Sequence, residues 1–314
     1  DVSTPVERIS NMLADTSTHV MVSQSKHQHI INDLNLVQDQ SKMTILLIDN
    51  VDSLYHSAKN PKPFSDINQH QLAYGIFTSG STGSPKAVPI SHANVLNMLS
   101  ALQPIIKFDA RDTWTLFHSY SFDYSVWEIW GCLLYGGTLV IVPEEARQDP
   151  TLLYDLMFQQ SITILNLTPS NMQRLLPSVA KHKGFPKSIK ALCCGAEPFP
   201  SQLVGPLTKH GIPVWNFYGP TEATVWSSVY QVKAEDAIFP TIPIGTPLVN
   251  YQFQILDINQ QTVPIGVVGE LYISGKGVSR GYVNQPELNS HHFIELNGQL
   301  TYRTGDLAKY KENY

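Results

Sequence analysis

Cysteine is scarce in this chain, three in 314 residues with two adjacent at Cys193 and Cys194. That count builds no disulfide framework and points to a reducing, cytoplasmic setting. Long hydrophobic runs are missing as well. The longest, such as LLYGGTLVIV (Leu133–Val142), fall well short of the roughly 20 residues that span a bilayer, so no membrane partner is expected. There is no basic surplus. A net charge of −5 leaves no electrostatic footprint for nucleic acid or an anionic surface. The opening DVSTPVERIS is acidic and polar, unlike a signal peptide. The histidines that cluster, His27 with His29 and His291 with His292, have no cysteine or carboxylate at ligand spacing and read as solvated loop residues. Internal repeats and low-complexity tracts are lacking too. What remains is an ordinary globular composition, 42% hydrophobic and 15% charged, enough for a large core and more than one lobe.

The pattern along the chain alternates strands with helices. Thr4-Pro5 before VERISNMLAD predicts a capped helix with Pro at its first position. HVMVS, MTILLID and QLAYGIF are short β-rich runs, and SHANVLNMLSALQPI predicts a helix capped by Ser91. TWTLF, TLVIV, ITILNL, IKALCCG and VWNFY follow as apolar strands, with helices expected near 122–135, 150–159, 169–177 and 200–209. Strands apolar on both faces argue for parallel sheets covered on two sides. After about Pro240, YQFQILD, GELYISG and Gly/Pro-rich turns predict a small β-rich lobe without a long helix. The fold class is α/β with a β-barrel-like appendage. The expected division is a first α/β subdomain over 1–115, a second over 116–240 and the β-rich subdomain over 241–314.

One stretch cannot be core. Thr78–Ser84 reads TSGSTGS, five hydroxyl side chains and two glycines directly after an apolar strand. Gly80 and Gly83 let the main chain curl round an anion, hydroxyls add donors without bulk, and Lys86 adds a point charge. A P-loop would end in Gly-Lys-Ser/Thr. Here Pro85 intervenes and Ala87 stands where a Mg²⁺-holding hydroxyl belongs, so that reading fails.

YGIFTSGSTGSPKAV (Tyr74–Val88), NFYGPTEATV (Asn216–Val225) and YRTGDL (Tyr302–Leu307) together resemble the adenylate-forming enzymes. FDYSVWEIWGCLLYGGTLVIV (Phe122–Val142) and GELYISGKGVSRGYVNQPELN (Gly269–Asn289) narrow the resemblance to the amino-acid-activating adenylation domains of nonribosomal peptide synthetases. The motifs fall in the family's order over essentially the whole chain. The resemblance implies the large N-terminal lobe of that fold: two doubly covered, mostly parallel sheets plus a small distorted β-barrel. It also implies that the family's opening segment and its C-terminal lid lobe, with a catalytic lysine, are missing. Weak or absent turnover by residues 1–314 alone is the corresponding expectation.

The implied reaction joins an amino acid to ATP, releases pyrophosphate, and passes the acyl group to the phosphopantetheine thiol of a peptidyl carrier protein. By resemblance, Thr78, Ser79, Gly80, Ser81, Thr82, Gly83 and Lys86 grip the β- and γ-phosphates. Tyr218 packs on adenine with Asn216, Gly219 and Gly195 close by, and Asp306 accepts the ribose hydroxyls. Thr221 bonds the α-phosphate or the substrate carboxylate, and Glu222 holds Mg²⁺. The residues around GELYISG, with Arg280 and Gly281, read as structural.

An α-amino acid also presents an ammonium, which a largely apolar pocket must meet with a carboxylate. Asp123 matches the family position that does so, although Asp123 could equally cap the helix beginning near Ser125. The implied wall is Tyr124, Trp127, Asn166, Leu192, Cys194, Phe217, Val225 and Trp226. It is bulky and carries no charge, so a small uncharged substrate such as Gly, Ala, Ser, Thr or Cys is expected. Asn166 and Cys194 could accommodate a hydroxyl or thiol.

Overall fold

A computed structural model describes residues 4–34, 43–50, 68–79 and 85–312. Strands β1 (Val20–Ser23) and β2 (Thr44–Leu47) pair in parallel, and β3 (Leu72–Ser79) and β4 (Pro85–Ser91) form an antiparallel hairpin. The main sheet has seven strands in the order β11-β10-β9-β8-β7-β5-β6. Its members are β5 (Thr113–Leu116), β6 (Thr138–Ile141), β7 (Ile164–Leu167), β8 (Ala191–Cys194), β9 (Val214–Tyr218), β10 (Ser228–Val232) and β11 (Thr246–Pro247). Pairing is parallel from β6 to β9 and antiparallel at β10 and β11.

Every residue of β7 and β8 is buried, as expected for central parallel strands covered on both faces. The pleat sends alternate side chains into two cores. Ile164, Ala191 and Cys193 join Trp114, Trp127 and Phe217 on one face, whereas Leu165, Leu167, Leu192 and Cys194 join Leu153, Met157 and Leu175 on the other. On the first face, helix Tyr124–Leu133 packs against β5 and β6. Phe108 stands edge-on to Trp114, Trp127 and Tyr135 with centroids 4.8–5.5 Å apart, contacts worth about 0.5–1.5 kcal/mol each beyond the area they bury.

The β-rich lobe is a four-stranded antiparallel sheet, β12 (Tyr251–Leu256), β13 (Gly269–Gly275), β15 (Gln299–Ala308) and β14 (Phe293–Leu296) in that order. It carries one short helix, Pro286–His292. The expected second extended parallel sheet is represented among the described residues by the β1–β2 pair and the β3–β4 hairpin. No helix among the described residues is long and apolar enough to cross a membrane.

Capping agrees with local chemistry. Ser91 Oγ accepts from the Asn94 amide at 3.3 Å while Asn94 Oδ1 accepts from the Ser91 amide at 3.0 Å, closing helix His92–Ile106. Pro5 is the cap of helix Val6–Asp15 rather than its first residue, because its ψ of 140° is extended. The helix expected near 200–209 is a 3₁₀ turn, Ser201–Leu203, and a five-residue helix, Val204–Thr208. Gly205 and Pro206 within it are poor helix formers.

Candidate active site

The Ser/Thr/Gly segment joins β3 to β4. Thr78 and Ser79 end the first strand opposite Lys86 and Pro85. Gly80, Ser81, Thr82 and Gly83 lie outside the described residues, as does the side chain of Ser79. Thr78 Oγ1 is buried without a hydrogen-bond partner among the described residues. It lines a cavity of about 870 Å³ between β3, the loop Ser119–Asp123, Thr221 and the N-terminal helix with Arg8. Thr78, Asp123 and Thr221, far apart in sequence, thus share one space.

Asp123 immediately precedes helix Tyr124–Leu133, yet its side chain makes no capping bond. Burial pushes its carboxyl up to about 6, opposed by the Thr221 hydroxyl and the Tyr124 amide and reinforced by the nearby Glu222 charge. A half-buried carboxylate with no ion pair among the described residues is the state an ammonium would relieve. Tyr74 faces the same acid. Its hydroxyl is buried and unpartnered among the described residues, and burial with the Asp123 charge raises its pKa.

Glu222 is 6% exposed in the 3₁₀ turn Thr221–Ala223. Its Oε1 accepts from the Tyr282 hydroxyl at 2.7 Å, and the Tyr302 hydroxyl stands 3.4 Å from that of Tyr282. Burial and the Glu222 charge raise both phenols. Lys86 Nζ stands 4.6 Å over the Tyr282 ring, so one tyrosine touches both the lysine expected to hold phosphate and the carboxylate expected to hold a metal. Asn289 fixes the Tyr282 main chain in both directions, at 2.7 and 2.9 Å.

Tyr218, at the end of β9, donates to Asp306 Oδ2 at 2.5 Å and packs edge-on to Phe253. Burial first, then Asp306, raises its phenol. The two residues expected to hold adenine and ribose are therefore bonded to each other. The Asn216 side-chain amide donates to the Pro243 carbonyl at 2.9 Å.

Gly219 and Gly195 act here through close approach. A methyl on Gly219 would collide with the Val225 carbonyl and lie 2.8 Å from Trp226 Cα. The chain recrosses β9 at that point through Thr224 and Val225, both at φ near +60°, a strained conformation for β-branched residues. A methyl on Gly195 would lie 2.7 Å from Trp226 Cζ3, so Gly195 makes room for that indole.

The expected acyl wall is a packed, buried cluster, each residue 2% exposed or less. Tyr124 donates to the Cys193 carbonyl at 3.1 Å and stands edge-on to Trp226, which stacks on Phe217. Trp127 Nε1 donates to Asn166 Oδ1 at 2.7 Å. The pleat divides the set between two cores. Leu192 and Cys194 belong to the opposite core from Trp127, Phe217, Val225 and Trp226. Asn166 pairs in register with Cys193, not Cys194.

Sequence reasoning missed His118, Glu128, Tyr282 and Tyr302. Glu128 is fully buried on the inward face of helix Tyr124–Leu133. It accepts the amides of Phe117 and His118 at 3.2 and 3.1 Å and meets His118 Nδ1 at 3.2 Å. Burial, its largest influence, raises its carboxyl against the lowering effect of His118. The pair pins the start of the loop that delivers Asp123, and the His118 ring stacks 3.9 Å over Tyr124. A glutamate among buried positions 124, 127, 128, 131 and 132 was the available signal.

The model of the AMP-binding enzyme family matches residues 1–283. The chain belongs to that family. Among relatives of this AMP-binding enzyme, a syringomycin synthase of Pseudomonas syringae is 36% identical, covering 100% of this chain and 50% of the relative. A dimodular nonribosomal peptide synthase of Bacillus subtilis is also 36% identical, with 98% of this chain against 14% of that one. A four-domain nonribosomal peptide synthetase solved with AMP and glycine superimposes with a TM-score of 0.81 at 30% identity, over 99% of this chain and 22% of that one. A second synthetase structure, at 24% identity and a TM-score of 0.86, shows the same fold. The resemblance to synthetase adenylation domains is borne out, and this AMP-binding chain spans half or less of the curated relatives named here.

Proposed function

We propose that this chain activates a small, uncharged amino acid as its aminoacyl-adenylate, releasing pyrophosphate, for transfer to the phosphopantetheine thiol of a peptidyl carrier partner. The observation that carries the reading is the shared cavity. It sets a half-buried acid, Asp123, with no ion pair among the described residues, beside the Thr221 hydroxyl and the end of the hydroxyl-rich hairpin, with Glu222 as its neighbour.

In this reading Asp123 pairs with the substrate ammonium, and pairing reverses the penalty of its burial. Thr221, hydrogen-bonded to that acid and lining the same cavity, would hold the carboxylate or the α-phosphate. Lys86 and the Thr78–Gly83 segment take the terminal phosphates, and Tyr218 with Asp306 takes the nucleoside. Attack on the α-phosphate is then a matter of alignment and of charge already met by the protein.

The donor set suits Mg²⁺. Among the described residues no cluster of three or more His, Cys, Asp or Glu could hold an ion, and this reading assigns the cation to the hard carboxylate of Glu222. Phosphate oxygens and water supply the rest, the usual mode for this cation. When bound, Mg²⁺ would neutralise phosphate charge. We divide the chain at 1–115, 116–240 and 241–314, a division supported by sheets that occupy 113–247 and 251–308. Three free, buried cysteines fit a cytoplasmic protein.

The test is amino-acid-dependent exchange of pyrophosphate into ATP on the full-length protein, against a panel of amino acids and des-amino acids. At least one small amino acid should support exchange, and Asp123→Ala should abolish it. Exchange with des-amino acids that survives Asp123→Ala would make this an acyl- or aryl-activating ligase instead.

A further inference from the structure

Two buried donors in the cluster behind Asp123 have nothing to bond. Trp127 Nε1 holds Asn166 Oδ1 at 2.7 Å, which fixes the amide and turns Nδ2 elsewhere. Asn166 is fully buried, and its Nδ2 has no partner among the described residues. Trp226 is 2% exposed, and its Nε1 is likewise unpartnered among them. Buried N–H groups are bonded in the great majority of cases, because an orphan forfeits its hydration. Here a pair falls in one small cluster.

The two orphans belong to one ring of contacting side chains. Trp226 stacks on Phe217 at 5.3 Å and stands edge-on to Tyr124 at 4.9 Å. Trp127, which carries Asn166, lies 5.9 Å from Phe217 on its other side. The Tyr124 hydroxyl approaches the carbonyl of Leu167, the neighbour of Asn166, at 3.4 Å. Two acceptors of this ring are already engaged, Asn166 Oδ1 by Trp127 and the Cys193 carbonyl by Tyr124. The ring therefore offers two unpaired donors among the described residues.

We infer that the substrate side chain is short and ends in a hydrogen-bond-accepting oxygen, a hydroxyl or an amide carbonyl, which takes up Asn166 Nδ2 and Trp226 Nε1. The inference rests on the amino-acid-activating reading above and narrows it. Glycine, alanine and valine would leave both donors buried and unsatisfied. A site built to bond an oxygen rejects the isostere that lacks it far more strongly than an apolar pocket rejects a missing methylene.

Stable aminoacyl sulfamoyl-adenosines test this by equilibrium titration on the full-length protein, with AMP as reference. The pairs are threonine against valine, serine against alanine, and asparagine against leucine. Within at least one pair the oxygen-bearing compound should bind about 10- to 100-fold tighter, the range expected from leaving buried donors unpaired. Trp226→Phe keeps an aromatic ring beside Phe217 but removes the N–H together with part of the indole, so it should shrink that ratio severalfold, read against AMP as the reference. Equal binding within every pair, or a ratio untouched by Trp226→Phe, overturns the inference and leaves amino-acid activation intact. If no aminoacyl compound binds better than AMP, the underlying reading fails with it.

Discussion

Asp123 should cost the free protein stability, and removing its charge should return it. The ordinary aspartate value is 3.8, and burial lifts this one to about 6. That difference corresponds to about 3 kcal/mol against the charged form in the folded state. The side chain is open to the cavity on one side, which reduces the penalty to about 2–3 kcal/mol. Asp123→Asn keeps the shape and can still accept from Thr221, so at pH 7 the variant should be more stable by about that amount.

The sign against pH follows from linkage. Because the folded value lies above the unfolded one, the penalty is fully present above about 6. It fades as the folded protein takes up a proton, and it vanishes below 3.8 where both states are protonated. The gap between variant and parent should be about 2–3 kcal/mol at pH 7 and about 1 kcal/mol at pH 4.5. Urea unfolding at the two pH values measures it, read as midpoint shifts at constant slope. An amino-acid ligand works the other way: its ammonium needs the ionised acid, so affinity should fall about tenfold per pH unit below 6. A variant no more stable than the parent at pH 7, or a gap that does not narrow in acid, would refute an uncompensated buried carboxylate at this position.

Gly219→Ala should destabilise by about 3 kcal/mol or more. Its methyl would overlap main chain at Val225 and Ser227, neither of which is a flexible side-chain end. Unchanged thermal unfolding would show that the crossing at Thr224–Val225 can move aside. Glu128→Ala should cost about 3–5 kcal/mol by leaving two amides and the His118 ring without their acceptor. Any binding that survives should show amino-acid affinity falling more than AMP affinity, since the loop released is the one that delivers Asp123. A loss of AMP affinity alone would contradict that placement.

Local chemistry was legible where the chain needs no partner to decide it. Ser91 caps the helix it was expected to cap, and the apolar strands from TWTLF to VWNFY fall where the pattern puts them. Register was not legible. The family resemblance sets Leu192 and Cys194 in one wall with Asn166. The pairing Asn166↔Cys193 places them on opposite faces, because a one-residue step in a strand reverses every side chain. Tyr282 was hidden for another reason. Its neighbours Arg280 and Gly281 read as structural, and nothing local shows that its hydroxyl ends on Glu222, 60 residues away in sequence. Tertiary hydrogen bonds of that span leave no local signature.

Why a tyrosine should stand between Lys86 and Glu222 has a physical answer. None of the ion pairs among the described residues involves either group. A direct lysine–glutamate pair would satisfy both charges, and it would have to be broken before phosphate or metal could use them. Tyr282 keeps them apart. Its ring face holds the ammonium at 4.6 Å by its quadrupole, and its hydroxyl meets the carboxylate at 2.7 Å with a neutral donor. Each charge is oriented and neither is cancelled, so the lysine stays available to an anion and the glutamate to a cation. A polyphosphate carrying a divalent ion presents both.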